Sequence, residues 1–441
     1  MTAENVEAAT VASVDALGRR RLALPAGVAF AGTSAAFAGL YLAAGAPTPI
    51  LLLLQQRWGF PSWALTVAFA SYAITLIAAL LVTGRLSDHI GRRPVIIAAL
   101  AVQVLAMLGF VFATNVGWVI VARSLQGLAT GMATSAFTAA IIELAPSRFA
   151  RLASIVTGTA AVAGLALGAL FAGLAVQFST SADGIVFVAL AVVAALGLLV
   201  AVASPETSSV RAGAVRSLVP QASVPRSARG AFVAATPAIV GAWMLAALFL
   251  GLGPSVVLDV FHINSGAVDG ATAFAEPAAA ALAGFVLGGM VARKAIAFGA
   301  LAVLLGTAIV VAGVFAASLM LFVAGGVVAG VGFGAIFSGA LRAVTPLVLP
   351  HERAGVFAAV FTVAYLSFGL PAMVSGLLIG WFGLTGTVVG FGVAVMLAAA
   401  VGLAAQMRAT SRERAARRPA TGVDAAPCSL VVVTAGVPTA R

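Results

Sequence analysis

Between Ala26 and Met407 the chain lays down twelve apolar runs, each long enough to cross a hydrocarbon core of about 30 Å. Chain buried in lipid must close its own backbone hydrogen bonds, and a helix does this within each run. The runs fall at about 26–54, 62–83, 95–113, 118–144, 153–176 and 185–203, then 231–258, 271–291, 295–317, 319–344, 354–379 and 384–407. Only 8% of the residues are charged and 62% are hydrophobic, whereas a soluble domain carries roughly 25% charge. The reading is an all-α integral membrane protein with twelve transmembrane helices in two parallel six-helix halves.

The polar stretches divide the chain. Residues 1–24 are a polar leader ending in Arg19-Arg20-Arg21, 25–203 the first half, 204–230 a Ser/Pro/Arg-rich linker, 231–407 the second half and 408–441 a basic, low-complexity tail expected to be disordered. The leader holds Glu4, Glu7 and Asp15 and lacks the apolar core of a signal peptide. Twelve spans put both termini on one side. Placing them in the cytoplasm puts nearly every arginine, and the one lysine, Lys294, inside, while Asp183, Asp259 and Asp269 fall outside with Arg57. This asymmetry accounts for the net charge of +11 without nucleic acid. The single cysteine, Cys428, excludes a disulfide within the chain and any Cys-based metal site. His89, His262 and His351 all lie at helix ends or in loops, so a histidine proton relay at mid-membrane is not expected. No metal and no cofactor are expected. Scarce lysine beside many arginines, with abundant Ala and Gly, fits a GC-rich bacterial genome and hence the plasma (inner) membrane.

One short loop stands out between spans 2 and 3: Gly84-Arg-Leu-Ser-Asp88-His-Ile-Gly91-Arg92-Arg93-Pro94. It holds four charges, and its two glycines allow a tight turn between helices. The pattern resembles the Gly-x-Leu-x-Asp-x-x-Gly-Arg-Arg signature of the major facilitator superfamily, with Gly84, Leu86, Asp88, Gly91, Arg92 and Arg93 matching. The resemblance implies a secondary transporter in which the two halves rock about a midplane site. It also implies a gate: Asp88 facing the N-terminus of span 11 near Ala354, and Arg92 pairing with Glu143. A bare positive-inside turn is the simpler alternative.

A repeat supports two halves. Leu40-Tyr41-Leu42-Ala-Ala-Gly45 resembles Leu248-Phe249-Leu250-Gly-Leu-Gly253, with Pro47 and Pro254 following. Gly127 and Gly131 of span 4 correspond to Gly330 and Gly334 of span 10. Parallel repeats about an axis along the membrane normal are one way transporters are built.

Three charged residues are candidates for mechanism. Arg123 lies inside span 4, where a charge costs at least ~2.5 kcal/mol. With Gln126 and Gly127 it matches an Arg-x-x-Gln-Gly pattern of the superfamily, where the arginine is associated with proton coupling or substrate contact. Its alternative is snorkelling to the interface that Trp118 marks. Glu276, beside Pro277, is the one carboxylate inside a span away from the basic end. Low dielectric favours the neutral form of a carboxylate, which can then load and release a proton; an extracellular loop position is the alternative. Glu143 ends span 4. Span 1 carries no charge, although many drug/proton antiporters of this superfamily have a carboxylate there. Its Pro47 and Pro49 should break the helix and free backbone carbonyls. In span 5, Gly164 to Gly173 resembles the antiporter motif of the superfamily with Ala169 in the place of its proline; close helix packing explains the same residues.

Cavity-lining spans offer Tyr41, Thr48, Gln126, Trp243, Phe249, Phe333 and Phe337, and no span holds an asparagine. An aromatic, weakly polar cavity suits lipophilic solutes better than sugars. The expectation is therefore a monomeric, proton-driven exporter of hydrophobic drug-like molecules, with the proton gradient as energy source, and not an enzyme. Uptake of an organic anion on Arg123 and a membrane sensor that moves nothing are the alternatives.

Overall fold

The computed structural model describes residues 24–219, 223–349 and 352–417. Helices account for all the regular structure among these residues. In the first half α1 spans Ala26–Trp58, α2 Ser62–Thr83, α3 Arg92–Val111, α4 Val116–Leu144, α5 Ala150–Phe178 and α6 Ala182–Ala203. In the second half α7 spans Arg226–Asp259, α8 Gly266–Val286, α9 Ala292–Phe315 and α10 Leu319–Val344. The last helical stretch runs from Arg353 to Arg417 and is broken at Gly383, which is non-helical at φ 69 and ψ 172. Gly376 and Gly369 pack on Thr66 and Ala73 of α2, while beyond the break Gly402 and Gly241 pair α7 with the returning limb. The chain therefore reverses at Gly383, giving α11 (353–382) and α12 (384–417). Twelve helices thus make twelve passes among the described residues.

Several ends follow from local chemistry. The Asn115 side chain accepts from the N–H of Gly117 at 2.9 Å and starts α4. Ser265 and Ser318 accept likewise at the starts of α8 and α10. Gly59 ends α1 in the left-handed region at φ 66. The basic tail, expected to be disordered from 408, is helical as far as Arg417; the leader and the rest of the tail lie outside the described residues.

Lipid-facing positions carry the apolar exposure. Leu199, Leu377, Leu397 and Trp381 are all more than half exposed, the reverse of a soluble protein and what lipid contact requires. Inside, small residues let backbones touch. Gly127 and Gly131 of α4 sit against the carbonyls of Tyr72 and Leu76 on α2. Gly330 and Gly334 of α10 sit in the same way against Glu276 and Ala280 on α8. Gly164 and Gly168 of α5 press on Tyr41 and Leu42 of α1, so the motif-like stretch of span 5 is packed backbone.

The halves meet on the face opposite the Gly84–Pro94 loop. Gly173 of α5 faces Gly266 and Gly270 of α8, and Gly270 also reaches Ala169. Ser265 donates to Gln177 at 2.8 Å, and Phe69 of α2 packs on Phe368 of α11 at 4.9 Å. Toward the basic face the apolar clusters belong to one half each: Phe30, Ile96, Phe137 and Leu144 in the first, Val344, Val348 and Val356 in the second.

A Cβ at Gly173 would meet the Gly270 Cα at 2.5 Å. Gly173→Val should therefore hold this seal open, at an overpacking cost of about 1–3 kcal/mol. In a Cys428→Ser background, a cysteine at the fully buried Ala169 should react severalfold faster with a water-soluble maleimide once Gly173→Val is added.

Candidate functional site

The centre of the bundle is built on the break in α1. Pro47 has no N–H, so the Ala43 carbonyl four residues earlier loses its helical donor. Gln126 of α4 supplies one, its Nε2 donating to the Ala43 oxygen at 2.7 Å. The Gln126 Oε1 accepts from Arg123 at 2.5 Å, and the same guanidinium nitrogen donates to the Ala44 carbonyl at 3.2 Å. Arg123 Nε reaches the Ala68 carbonyl of α2 at 3.4 Å. The guanidinium also lies over the Tyr72 ring at 4.5 Å and the Phe69 ring at 5.8 Å. It is 2% exposed, so Arg123 points inward and does not snorkel. Among the described residues no carboxylate lies within ion-pair distance of it. Its charge is held by carbonyl dipoles and two aromatic faces.

About two turns beyond Gln126 on α4, Thr134 and the Tyr41 hydroxyl share a hydrogen bond of 3.0 Å. Tyr41 also faces the Tyr365 hydroxyl of α11 across the boundary between the halves. The chain has three tyrosines, and all three, from α1, α2 and α11, are in this region. Beside them lies an aromatic cluster. Trp243 of α7 contacts Tyr365 at 4.8 Å, Phe333 at 5.4 Å, Phe337 at 5.7 Å and Phe368 at 6.1 Å. Phe361 closes on Phe337 at 5.7 Å. The rings touch one another, so a solute entering here must part them. One buried donor among them is unpartnered: Trp243 Nε1.

Glu276 lies in the middle of α8, 1% exposed, with neither carboxylate oxygen partnered. Its backbone carbonyl packs on Gly330, one turn from Phe333. Asp269, expected outside the membrane segment, is instead in the first turn of α8 and 7% exposed, with Oδ1 unpartnered. The physical reason is that α8 starts at Gly266, five residues earlier than its apolar run. Phe249 does not join the central cluster. It sits in a π-turn of α7 over Gly326 and packs on Phe322 at 4.9 Å, inside the second half.

On the basic face, Asp88 pairs with Arg92 one turn on. Arg92 also donates to Ser87 at 2.8 Å and to Glu143 at 3.4 Å. The expected Arg92–Glu143 pair is present. The Asp88 carboxylate is bound within its own half, and the side chains at 353 and 354, where α11 begins, lie outside the described residues. Sequence reasoning missed Glu206 of the linker. Its Oε1 accepts from the Arg92 backbone N–H at 2.8 Å and its Oε2 from that of Arg93 at 3.0 Å, capping α3 with a carboxylate. Arg93 reaches the Val202 carbonyl. The two glycines are not equivalent. Gly91 has φ 101 and ψ 158 and leaves room for Glu206, whose carboxylate carbon a Cβ would meet at 2.8 Å. Gly84 caps α2 and begins the expected turn, but with right-handed dihedrals of φ −56 and ψ −27 that do not call for glycine.

Two outcomes follow from this geometry. Gln126→Ala should cost about 1–3 kcal/mol in thermal unfolding, because the Ala43 carbonyl is left buried and unpaired. That cost should shrink in a Pro47→Ala background, where residue 47 regains its N–H. Gly91→Ala should lower the yield of folded protein and its stability, since that φ,ψ region is essentially restricted to glycine.

The sequence matches the family model described as Major Facilitator Superfamily over residues 33–320. Among curated proteins none matches. Two solved structures share the fold. One is a POT family transporter in complex with thioalcohol conjugated peptide, 12% identical, covering 88% of this chain and 96% of that chain with a TM-score of 0.69. The other is a POT family transporter in complex with 5-aminolevulinic acid, 12% identical, covering 87% of this chain and 96% of that chain with a TM-score of 0.68.

Proposed function

The chain belongs to the major facilitator superfamily and is a secondary transporter, and from that premise we propose that it exports lipophilic, aromatic or cationic small molecules in exchange for protons. The observation that carries this reading is the cluster around Trp243. Its rings come from α7, α10 and α11 and offer faces for an aromatic or cationic solute. Trp243 Nε1 is free to orient it. Glu276 on the neighbouring helix supplies a carboxylate that can hold either a proton or the charge of a cation, and competition between the two is the elementary step of antiport.

The basic face is taken as cytoplasmic, with both termini there and the protein, as a monomer, in the plasma membrane. Protons then enter from the face sealed by α5 and α8. Export is driven by acid outside, so raising external pH should slow it.

Uptake of a small zwitterion or organic anion is the second reading. It draws on the bound 5-aminolevulinic acid of one structural relative and on the lone buried cation Arg123. The Arg123 donors are already engaged with backbone carbonyls and Gln126, which favours the first reading.

In proteoliposomes with an imposed pH gradient, ethidium should move against its own gradient. Glu276→Gln should cut that movement at least about tenfold and flatten its pH dependence. Trp243→Ala should weaken ethidium binding by about tenfold, the equivalent of about 1.4 kcal/mol. Absence of ethidium movement together with gradient-driven uptake of aromatic acids would replace this reading with the second.

A further inference from the structure

We propose that Asp269 is the outer station of a proton path that runs along α8 to Glu276, opened and shut by the α5–α8 seal. The inference rests on the reading of Glu276 as the coupling carboxylate.

The spacing sets the geometry. Asp269 and Glu276 are seven residues apart on one helix. Seven residues are nearly two turns, so the side chains share a face and lie about 10 Å apart along the axis. Thr272, 1% exposed, falls between them on the same flank. Both acids are more than nine-tenths buried, and three of their four oxygens are buried without a partner: Asp269 Oδ1 and both of Glu276. A buried carboxylate left unpaired is costly. Two on one stripe, in a segment with few charges, call for a purpose that packing does not supply.

The surroundings do not neutralise them. The elements packed on α8 are α5, α10, the later limb of α1 and the later part of α7. The cation of α5 nearest its start, Arg151, lies at the opposite end from Gly173. Arg342 of α10 reaches Gly288 beyond the far end of α8. Arg57 at the end of α1 is paired with Asp183 at 2.8 Å. Asp259 ends α7, and His262 is exposed in the turn that follows. No charged side chain acts on Asp269 or Glu276 among the described residues.

The seal gives the stripe its direction. Gly266 and Gly270 flank Asp269 and bear directly on Gly173 and Ala169 of α5. While this contact holds, Asp269 is covered. When the halves part here, the same motion that opens the substrate route wets Asp269. The carboxylate takes a proton from water and passes it, through water admitted beside Thr272, to Glu276, regaining its own charge. Closing the seal then leaves the proton on Glu276 with no way back. One contact between glycines would thus gate solute and proton together.

The test uses the full chain and needs no substrate. Time-resolved infrared spectroscopy after mixing into D2O follows the carboxylic C=O band that Glu276→Gln removes. Asp269→Asn, isosteric and uncharged, should slow deuterium exchange of that band at least about tenfold, with Asp269→Glu restoring it. Gly173→Val, which holds the seal apart, should speed exchange in the presence of Asp269 and fail to do so in its absence. A merely structural role for Asp269 would change the melting temperature and leave the exchange rate alone. An unchanged exchange rate in Asp269→Asn overturns the path and leaves Glu276 as coupling residue. Absence of any band assignable to Glu276 overturns the coupling reading itself, and the path with it.

Discussion

The orphaned carbonyl of Ala43 is the point on which the centre of this protein depends. A proline in a water-exposed helix frees a carbonyl to solvent at modest cost. In lipid the same carbonyl must find a donor inside the protein. Here the donor is Gln126, and the partner that fixes the Gln126 amide is Arg123. A backbone defect in α1, an amide in α4 and a buried cation therefore form one unit. Each member makes the others tolerable. The cation fixes which way the amide points, and the amide joins α4 to α1 at the depth where the halves must later move. The unit also explains how a guanidinium can sit in the bundle without an acid partner: its donors meet backbone oxygens, and its faces meet Tyr72 and Phe69.

The two halves use the same packing for different chemistry. In the first, Gly127 and Gly131 of α4 lie against the carbonyls of Tyr72 and Leu76. In the second, Gly330 and Gly334 of α10 lie against those of Glu276 and Ala280. Tyr72 and Glu276 thus occupy corresponding places. One holds an aromatic face beneath a fixed positive charge, the other an unpartnered carboxylate. The repeated glycines are set by how closely helices must approach, which is the same in both halves. The residues beside them are free of that demand, and there the halves diverge. Tyr41 and Phe249, aligned in the repeat, show the same divergence. Tyr41 reaches Thr134 at the centre, whereas Phe249 turns onto Gly326 and stays within its own half.

Much of this was legible in the sequence because the bilayer leaves so few options. Long apolar runs must be helices, a proline inside one must free a carbonyl, and a buried arginine must find oxygen or aromatic partners. The twelve passes and the role of Pro47 follow from those rules, whereas the link from Arg92 to Glu143 is implied by the loop's resemblance to the superfamily signature. What escaped depends on facing and on contacts distant in sequence. Tyr365, Phe361 and Phe368 of α11 look like any other apolar residues of a hydrophobic run until the helix is placed beside Trp243. Glu206 sits in a linker, where a carboxylate reads as solvated, yet it caps α3 by returning over more than a hundred residues. Asp269 precedes the apolar run of span 8, so its place in the first turn of α8 is not visible in the sequence. Its burial comes from α5, which covers the first turn of α8 through Gly173. The facing of Phe249 depends on the π-turn at Leu248–Leu252, which rotates the rest of α7 relative to regular helical spacing.

The state described here closes one face and leaves the gate loop of the other bound within its own half. On the closed face, contact is made by glycine backbones, by the single Ser265–Gln177 hydrogen bond and by the ring pair of Phe69 on Phe368. Such contacts are close but carry little side-chain interlock, so they can part without dismantling a hydrogen-bonded network. On the basic face, Asp88, Arg92, Glu143 and Glu206 form a charged cluster that belongs wholly to the first half and its linker. The asymmetry follows from the chemistry available at each end. The basic face has many arginines and can latch through charge, in an environment where water keeps the cost of breaking ion pairs low. The opposite face has few charges and must seal through shape. A transporter that closes one side by shape and the other by charge has two barriers of different physical origin. Each can then be tuned by substitution without altering the other.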